Sequence, residues 1–497
     1  MKIFLLLFLS SRAWSRETVF YIISGGGEPT SHHARYERDV RIFDELFGGK
    51  ATILNAGGRG SLHTTTENGS FRRDPEGRLV LVPSELKKET LQAGRAEVET
   101  LFKNLKGESI TGYLGDHGNR EGLTLWGWET LKGKSYRDWL QSLPADTVAR
   151  AVVGSCYPGV MLVDPQRSPP LGISAWPNYL KLQFPVNKCG LASGKEDELT
   201  ESLGGNGTYE ESPLKDFLER HPKPSLQEMK QFFYARMELR STPVLTSDYL
   251  VEDLLKQMCV KEPQPAGFEI HTESTTTPAA APLTGPCDPK IREEKVAHDK
   301  ELQVQDETYQ QAKEMYLWLL PRFLAKQWPE ESQAYENAVR KIEFAQRTAV
   351  LNLRSKPGIA LTAGGDTLLQ EERDAVLEYG RLWESVRSGK SRRKEFMAFA
   401  QGPVIQREIQ NPTVQSRFPL FFSALAGLRN APLDYLTVQE TAVEKALAAQ
   451  SARRKFLQLH QQAAREFVEN ELKKHADWAE VKKVYDSIRK CETTPIN

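Results

Sequence analysis

Two stretches decide how this chain folds: "SITGYLGDHGN" at 109–119 and "ARAVVGSCYPG" at 149–159. Each is an apolar, strand-forming run that closes on small residues and then on one reactive side chain. These are His117 in the first and Cys156 in the second, 39 residues apart. A run that is apolar throughout, rather than alternating, belongs to a strand covered on both faces. Between the two lies "YRDWLQSLP" (136–144) with helical patterning, so the pair reads as a βαβ unit with parallel strands.

The same alternation extends outward. "TVFYIIS" (18–24) is a compact β-branched and aromatic run that stops at Gly25-Gly26-Gly27. "YERDVRIFDELF" (36–47) spaces Val40, Phe43 and Phe47 as a helix does, and "ATILNAG" (51–57) is a second strand. "LKKETLQAGRAEVETLFKNL" (86–105) predicts another helix, and "NKCGLASG" (187–194) a fifth strand. The pattern predicts an α/β domain over residues 16–261, a doubly wound and mostly parallel sheet with helices on both faces.

At both ends the character changes. "MKIFLLLFLSSRAWS" has one lysine, an apolar run from Ile3 to Leu9 and a small-x-small pattern at Ala13–Ser15. It reads as an export signal over residues 1–15, which predicts a periplasmic, extracellular or lumenal protein. Residues 262–289, "EPQPAGFEIHTESTTTPAAAPLTGPCDP", are rich in Pro, Thr and Ala and read as a linker open to proteases. From 290 to 497 long polar helical patterns dominate, and a separate all-α domain is expected there.

Lys plus Arg and Asp plus Glu both number 66, so the formal net charge is zero, which argues against nucleic acid or an anionic membrane as the main partner. No internal stretch approaches the roughly 20 apolar residues needed to cross a bilayer. Export would permit disulfides, and five cysteines leave at least one thiol over if the rest pair. Cys189, Cys259, Cys287 and Cys491 are too irregularly spaced for a zinc pattern, so no metal or other cofactor is expected.

Ligands of doubly wound sheets bind beyond the carboxyl ends of the strands. His117 and Cys156 are both expected there, in one crevice. An imidazole beside a thiol favours the nucleophilic thiolate, and the amides of Gly118 and Cys156 are suited to hold an oxyanion.

These residues resemble the signature of the legumain-like and caspase-like (clan CD) cysteine peptidases. In that family an apolar strand ends in His-Gly, and another, about 40 residues on, ends in a small residue and Cys. The resemblance covers about half the chain, residues 18–258, and includes Asp116 before the histidine. It implies a caspase-like fold and a cysteine endopeptidase with His117 and Cys156 as catalytic dyad and a peptide or protein as substrate. "ARYERDV" places Arg35 where the family has its S1 arginine, with Asp39 as a support. His33 falls near an asparagine that in legumains orients the catalytic histidine. "ASGKEDE" (192–198) resembles the S1-forming loop, making Ser193 a substrate-binding candidate. Gly154 departs from the family, which has an acidic residue or glutamine there, and Glu196 or Asp197 would have to compensate. P1 preference stays open between acidic or amide and basic side chains. The helical half stands where legumains carry a segment that covers the site, so an intramolecular contact is expected. The alternatives are a non-catalytic peptidase-like scaffold and a peptide ligase using the same dyad.

Overall fold

The computed structural model describes residues 18–27, 32–58, 62–63, 82–84, 86, 90–200, 203, 208–236, 241–259, 285–338, 378, 382, 385–386, 390–427 and 435–496. The expected export signal and most of the expected linker lie outside these residues.

A six-stranded sheet in the order β11-β10-β9-β5-β1-β2 forms the centre of the α/β half. Its strands are β1 (Thr18–Ser24), β2 (Thr52–Asn55), β5 (Ser109–Gly115), β9 (Val148–Gly154), β10 (Lys188–Ala192) and β11 (Val244–Leu245). All pair in parallel except β10 with β11. Every residue of β5 is buried, and only the first of β9 is not, as the unbroken apolar runs demand. Short pairings lie outside this sheet: β3 (Leu62–His63) with β4 (Val82–Pro83), and a hairpin sheet of β6 (Gly118–Asn119), β7 (Gly122–Thr124) and β8 (Thr130–Lys132).

The helices of this half are α1 (Ala34–Leu46), α2 (Arg95–Asn104), α3 (Gly133–Ser142), α4 (Gly159–Leu162), α5 (Trp176–Gln183), α6 (Pro213–Arg220), α7 (Leu226–Ala235) and α8 (Thr246–Met258). The helix expected over 86–105 begins only at Arg95. Gly94, the residue before it, is extended, and Leu91 ahead of it bridges to Leu54 of β2. Pairing with the sheet edge has overridden helical periodicity there.

Beyond residue 285 the described residues are helical: α9 (Pro289–Gln327), α10 (Lys390–Ala400), α11 (Pro403–Ile409), α12 (Pro412–Arg417), α13 (Pro419–Gly427), α14 (Tyr435–Lys474) and α15 (Ala479–Thr493). The expectation of one separate helical domain needs correction. Met315, Leu319, Phe323, Phe396, Phe421, Val438 and Ala442 form a core of their own. The C-terminal part of α14 and all of α15 instead join the core of the α/β half through Val468, Leu472, Trp478, Val481, Tyr485 and Ile488. Arg150 of β9 donates to the Cys491 carbonyl (3.2 Å), and the buried Ser247 hydroxyl donates to Glu492 (2.6 Å). Disulfides join Cys189 to Cys491 and Cys259 to Cys287. The second brings the two ends of the expected linker to a Cα–Cα distance of 5.2 Å.

Candidate active site

Strand register brings the two sequence candidates together. Ser24 of β1 pairs with Gly115 of β5, and Gly115 pairs with Gly154 of β9. His117 and Cys156 stand two residues beyond that last pair, on strands about 4.8 Å apart. β10 adds Ser193, which follows the Ala192–Val153 pair and donates its amide to Val153 (2.9 Å). Four strand ends therefore line one rim, at the carboxyl edge where open α/β sheets hold ligands.

The two reactive segments touch. A Cβ on Gly118 would lie 2.2 Å from the Cys156 carbonyl oxygen, so only glycine lets the His117 turn approach the Cys156 turn this closely. Asp116, before the histidine, has φ +88°, and Tyr157, after the cysteine, has φ +54°. Non-glycine residues in this region carry backbone strain, a feature concentrated at functional sites.

His117 is held from behind. Its amide donates to Asp116 Oδ1 (2.8 Å), its carbonyl accepts from Thr124 (3.0 Å), and its Nε2 lies 3.9 Å from Asp116 Oδ1. The rings of Tyr36 and His33 stand edge-on to the imidazole, at 5.2 and 5.7 Å between centroids. In the β6–β7 ladder the His117–Thr124 pair is hydrogen-bonded, so the next pair, Gly118 with Leu123, falls on a non-bonded position. The Gly118 N–H thus points away from the ladder. The Cys156 amide has no hydrogen-bond partner among the described residues.

Cys156 is the one free cysteine, the other four being paired. It is half-buried, and its thiol donates to the Thr200 carbonyl (3.7 Å). Burial pushes its pKa up, opposed by the positive charges of Lys313 and Arg35.

Arg35 sits at the start of α1, beside the rim. Its Nη2 donates to the Tyr36 hydroxyl (3.0 Å), while its buried Nε has no partner among the described residues. The buried hydroxyls of Ser155 and Ser193 also lack partners among the described residues. Asp39, expected to support Arg35, is hydrogen-bonded to the neighbouring Arg38 (3.2 and 3.3 Å), both side chains being fully buried, and its negative charge also acts on Arg35. At Gly154 an added Cβ would meet Leu203 at 2.9 Å and the Tyr113 hydroxyl at 3.2 Å, so these two side chains fill the space beside it. The carboxylates expected to compensate are engaged elsewhere. Glu196 pairs with Arg167 (3.3 Å), and Asp197 makes a two-pronged pair with Arg453 of α14 (2.6 and 2.7 Å).

Two features of the site escaped sequence reading, the second being which residues make the expected contact with the helical half. The first is a buried cluster behind Asp116, in which His32 bridges Asp116 and Glu37. The adjacent pair His32-His33, among only nine histidines, was its visible trace. The second is α9, whose Asp306 accepts hydrogen bonds from the Tyr157 hydroxyl (3.1 Å) and from Arg120 in the hairpin after His117. Nothing local in the sequence marks a contact across 149 residues.

Among the described residues there is no group of three or more metal-binding side chains, and no helix is long and apolar enough to cross a membrane. The chain matches no known family model and no curated protein.

Proposed function

We propose that the chain is a cysteine endopeptidase of the legumain-like and caspase-like kind. The observation that carries this reading is the in-register placement of His117 and Cys156 beyond adjacent parallel strands, with Gly118 pressed against the Cys156 carbonyl. Cys156 Sγ attacks the scissile carbonyl carbon and forms a thioester as the peptide C–N bond breaks. His117 takes the thiol proton and delivers it to the leaving amine, then draws a proton from the water that hydrolyses the thioester. The amides of Gly118 and Cys156 bind the oxyanion.

For P1, the Arg35 Nε and the Ser155 and Ser193 hydroxyls, which have no partner among the described residues, favour an acidic or amide side chain. A basic one has less to pair with, because Asp197 is held by Arg453 and Glu196 Oε1 by Arg167. Export from the cytoplasm belongs to this reading and is supported by the two disulfides.

The test is a peptide-library digest by the intact chain alongside Cys156→Ala, His117→Ala and Arg35→Ala. The first two are expected to lose kcat/KM by roughly 1,000-fold or more. Arg35→Ala is expected to lose about 10- to 150-fold on acidic and amide P1 substrates, the scale of a charge-assisted hydrogen bond. Near wild-type cleavage by Cys156→Ala would refute the mechanism. The space filled by Leu203 beside Gly154 leaves the scaffold alternative standing, and the absence of any labelling of Cys156 by a thiol-reactive substrate analogue would favour it.

A further inference from the structure

Behind the rim, four side chains from three strand ends and one helix converge on a single histidine. His32, fully buried, lies between two carboxylates: Nδ1 is 3.1 Å from Asp116 Oδ2 and Nε2 is 3.1 Å from Glu37 Oε1. The Ser24 hydroxyl at the end of β1 donates to the same Asp116 oxygen (3.1 Å), and Asn55 at the end of β2 donates to the same Glu37 oxygen (3.4 Å). The other Asp116 oxygen holds the His117 amide. Asp116 thus faces the reactive histidine on one side and His32 on the other, at a residue whose backbone is left-handed.

Both ring nitrogens of His32 face carboxylate oxygens, and only an imidazolium can donate to both. Two buried carboxylates without an intervening cation would repel each other. The geometry points to His32 and Glu37 as positioning residues: a charged His32 bridge pins Asp116, and through it the strained turn that aims His117 at Cys156. This inference rests on the peptidase reading. It predicts that catalysis depends on a group that never touches substrate.

The bridge brings its own pH dependence. Burial alone would favour neutral His32, but the hydrogen bonds and charges of Asp116 and Glu37 outweigh it, and its pKa is raised from 6.5 to about 9. Among the described residues, the next titratable group is His33, itself acted on by Arg35 and His117. His33 is driven the other way by burial and by Arg35, to about 3, so it stays neutral while His32 titrates. Above pH 9 the bridge loses a proton and with it one of its two donors, and the His117 turn loses its anchor.

The experiment compares the full chain with Glu37→Gln, Glu37→Asp and His32→Asn, following kcat and KM on a short peptide from pH 5 to 10. In parallel, histidine-selective 13C NMR follows the titration of each imidazole, and thermal melts verify folding. Glu37→Gln keeps an acceptor but removes one charge. It is expected to move the alkaline fall in kcat from about pH 9 toward neutrality, with KM within about twofold. The His32 titration should move with it and the His117 signal should shift. Glu37→Asp is expected to restore the alkaline limb. His32→Asn should lose on the order of 100-fold in kcat at every pH, the scale of a misplaced catalytic group. A folded Glu37→Gln variant with wild-type limb and unshifted His117 signal would overturn the inference, even if His32→Asn fails to fold. If the NMR shifts appear but the wild-type chain cleaves no peptide, the positioning role stands and the peptidase reading falls.

Discussion

The two ends of the helical half meet the α/β half in opposite ways. At the C-terminal end α15 is an apolar wedge: Val481, Tyr485 and Ile488 are buried in the core of the sheet, and Trp478, just before the helix, meets Trp176 edge-on at 5.6 Å. A disulfide to β10 ties it down. At the N-terminal end α9 touches the rim through polar groups, Asp306 with Arg120 and Tyr157, and Gln310 with Tyr157. Apolar burial contributes about 25 cal/mol per Å², so a wedge of this kind is lost only at the expense of the fold. A polar contact exchanges with water at about 0.5–1.5 kcal/mol per hydrogen bond, which suits something meant to come off. One helical half thus contains an apolar structural member and a polar contact at the rim.

The largest effect expected from this contrast follows deletion of residues 479–497. Losing α15 uncovers β9 and β10 and removes the Cys189–Cys491 disulfide, whose absence alone typically costs about 2–5 kcal/mol. The truncated chain is expected to be insoluble or to show no cooperative unfolding by circular dichroism. The α/β segment 16–261 on its own should fail in the same way. A soluble truncation with a sharp urea transition would erase the distinction between wedge and rim contact.

A smaller effect separates the wedge from the rim by pH. The wedge is held mostly by apolar contacts and a disulfide, with the buried Glu492, whose carboxyl is pushed up by burial, as a titrating group of its own, whereas the rim carries His32 and His33, shifted in opposite directions. The pKa of His32 is raised from 6.5 to about 9, so its contribution to stability is complete below pH 6.5 and lost as pH rises through 9. This corresponds to at most about 3 kcal/mol. For His33 the pKa is lowered to about 3, so its contribution is present above pH 6.5 and lost as pH falls toward 3. Asp116, whose pKa is held down by its bond to His32 against the pull of burial, adds to the acid limb. Urea midpoints measured from pH 4 to 9.5 should therefore peak near 6.5. His33→Gln should flatten the acid side and leave the alkaline side in place. A profile unchanged in that variant would remove His33 from the account.

How far the sequence foretold this molecule depends on the range of each interaction. The strands at 18–24, 109–115, 148–154 and 188–192 were legible because an unbroken apolar run is local and strong. The placement of His117 and Cys156 beyond the ends of adjacent strands was legible too, since both follow an unbroken apolar run by the same distance. The antiparallel edge strand Val244–Leu245 was not: two residues carry no periodicity. Neither was the division of the helical half. Val468 and Val438 both lie on the α14 helix, yet they enter different cores, and amphipathic spacing says only that a face is buried, not against what. The fate of Asp39 and Asp197 was hidden for a different reason: a carboxylate is claimed by whichever cation the fold brings nearest. Here these are Arg38, one residue away, and Arg453, 256 residues away.

The smallest effect tests whether α9 covers the site or merely lies beside it. Asp306 accepts from Tyr157, the residue after the nucleophile, and from Arg120, in the hairpin that follows His117, so it spans the two turns that must admit a substrate. Lys313, further along the helix, is close enough for its charge to act on Cys156. Cutting the chain between 262 and 284 would not free the helix by itself, because the Cys259–Cys287 disulfide closes over that segment. Asp306→Asn is the more direct probe. It keeps the shape and one acceptor oxygen but removes the carboxylate charge from the bonds to Arg120 and Tyr157, weakening the contact by about 1.4 kcal/mol, which is a factor of about ten in the open population. If α9 shields the crevice, kcat/KM on a short peptide rises by up to about tenfold, and labelling of Cys156 by a thiol reagent speeds up in parallel, with the melting temperature little changed. Equal rates in both assays would mean that the crevice is already open with α9 in place. The helix would then be a second structural member, and the contrast with α15 would be one of degree.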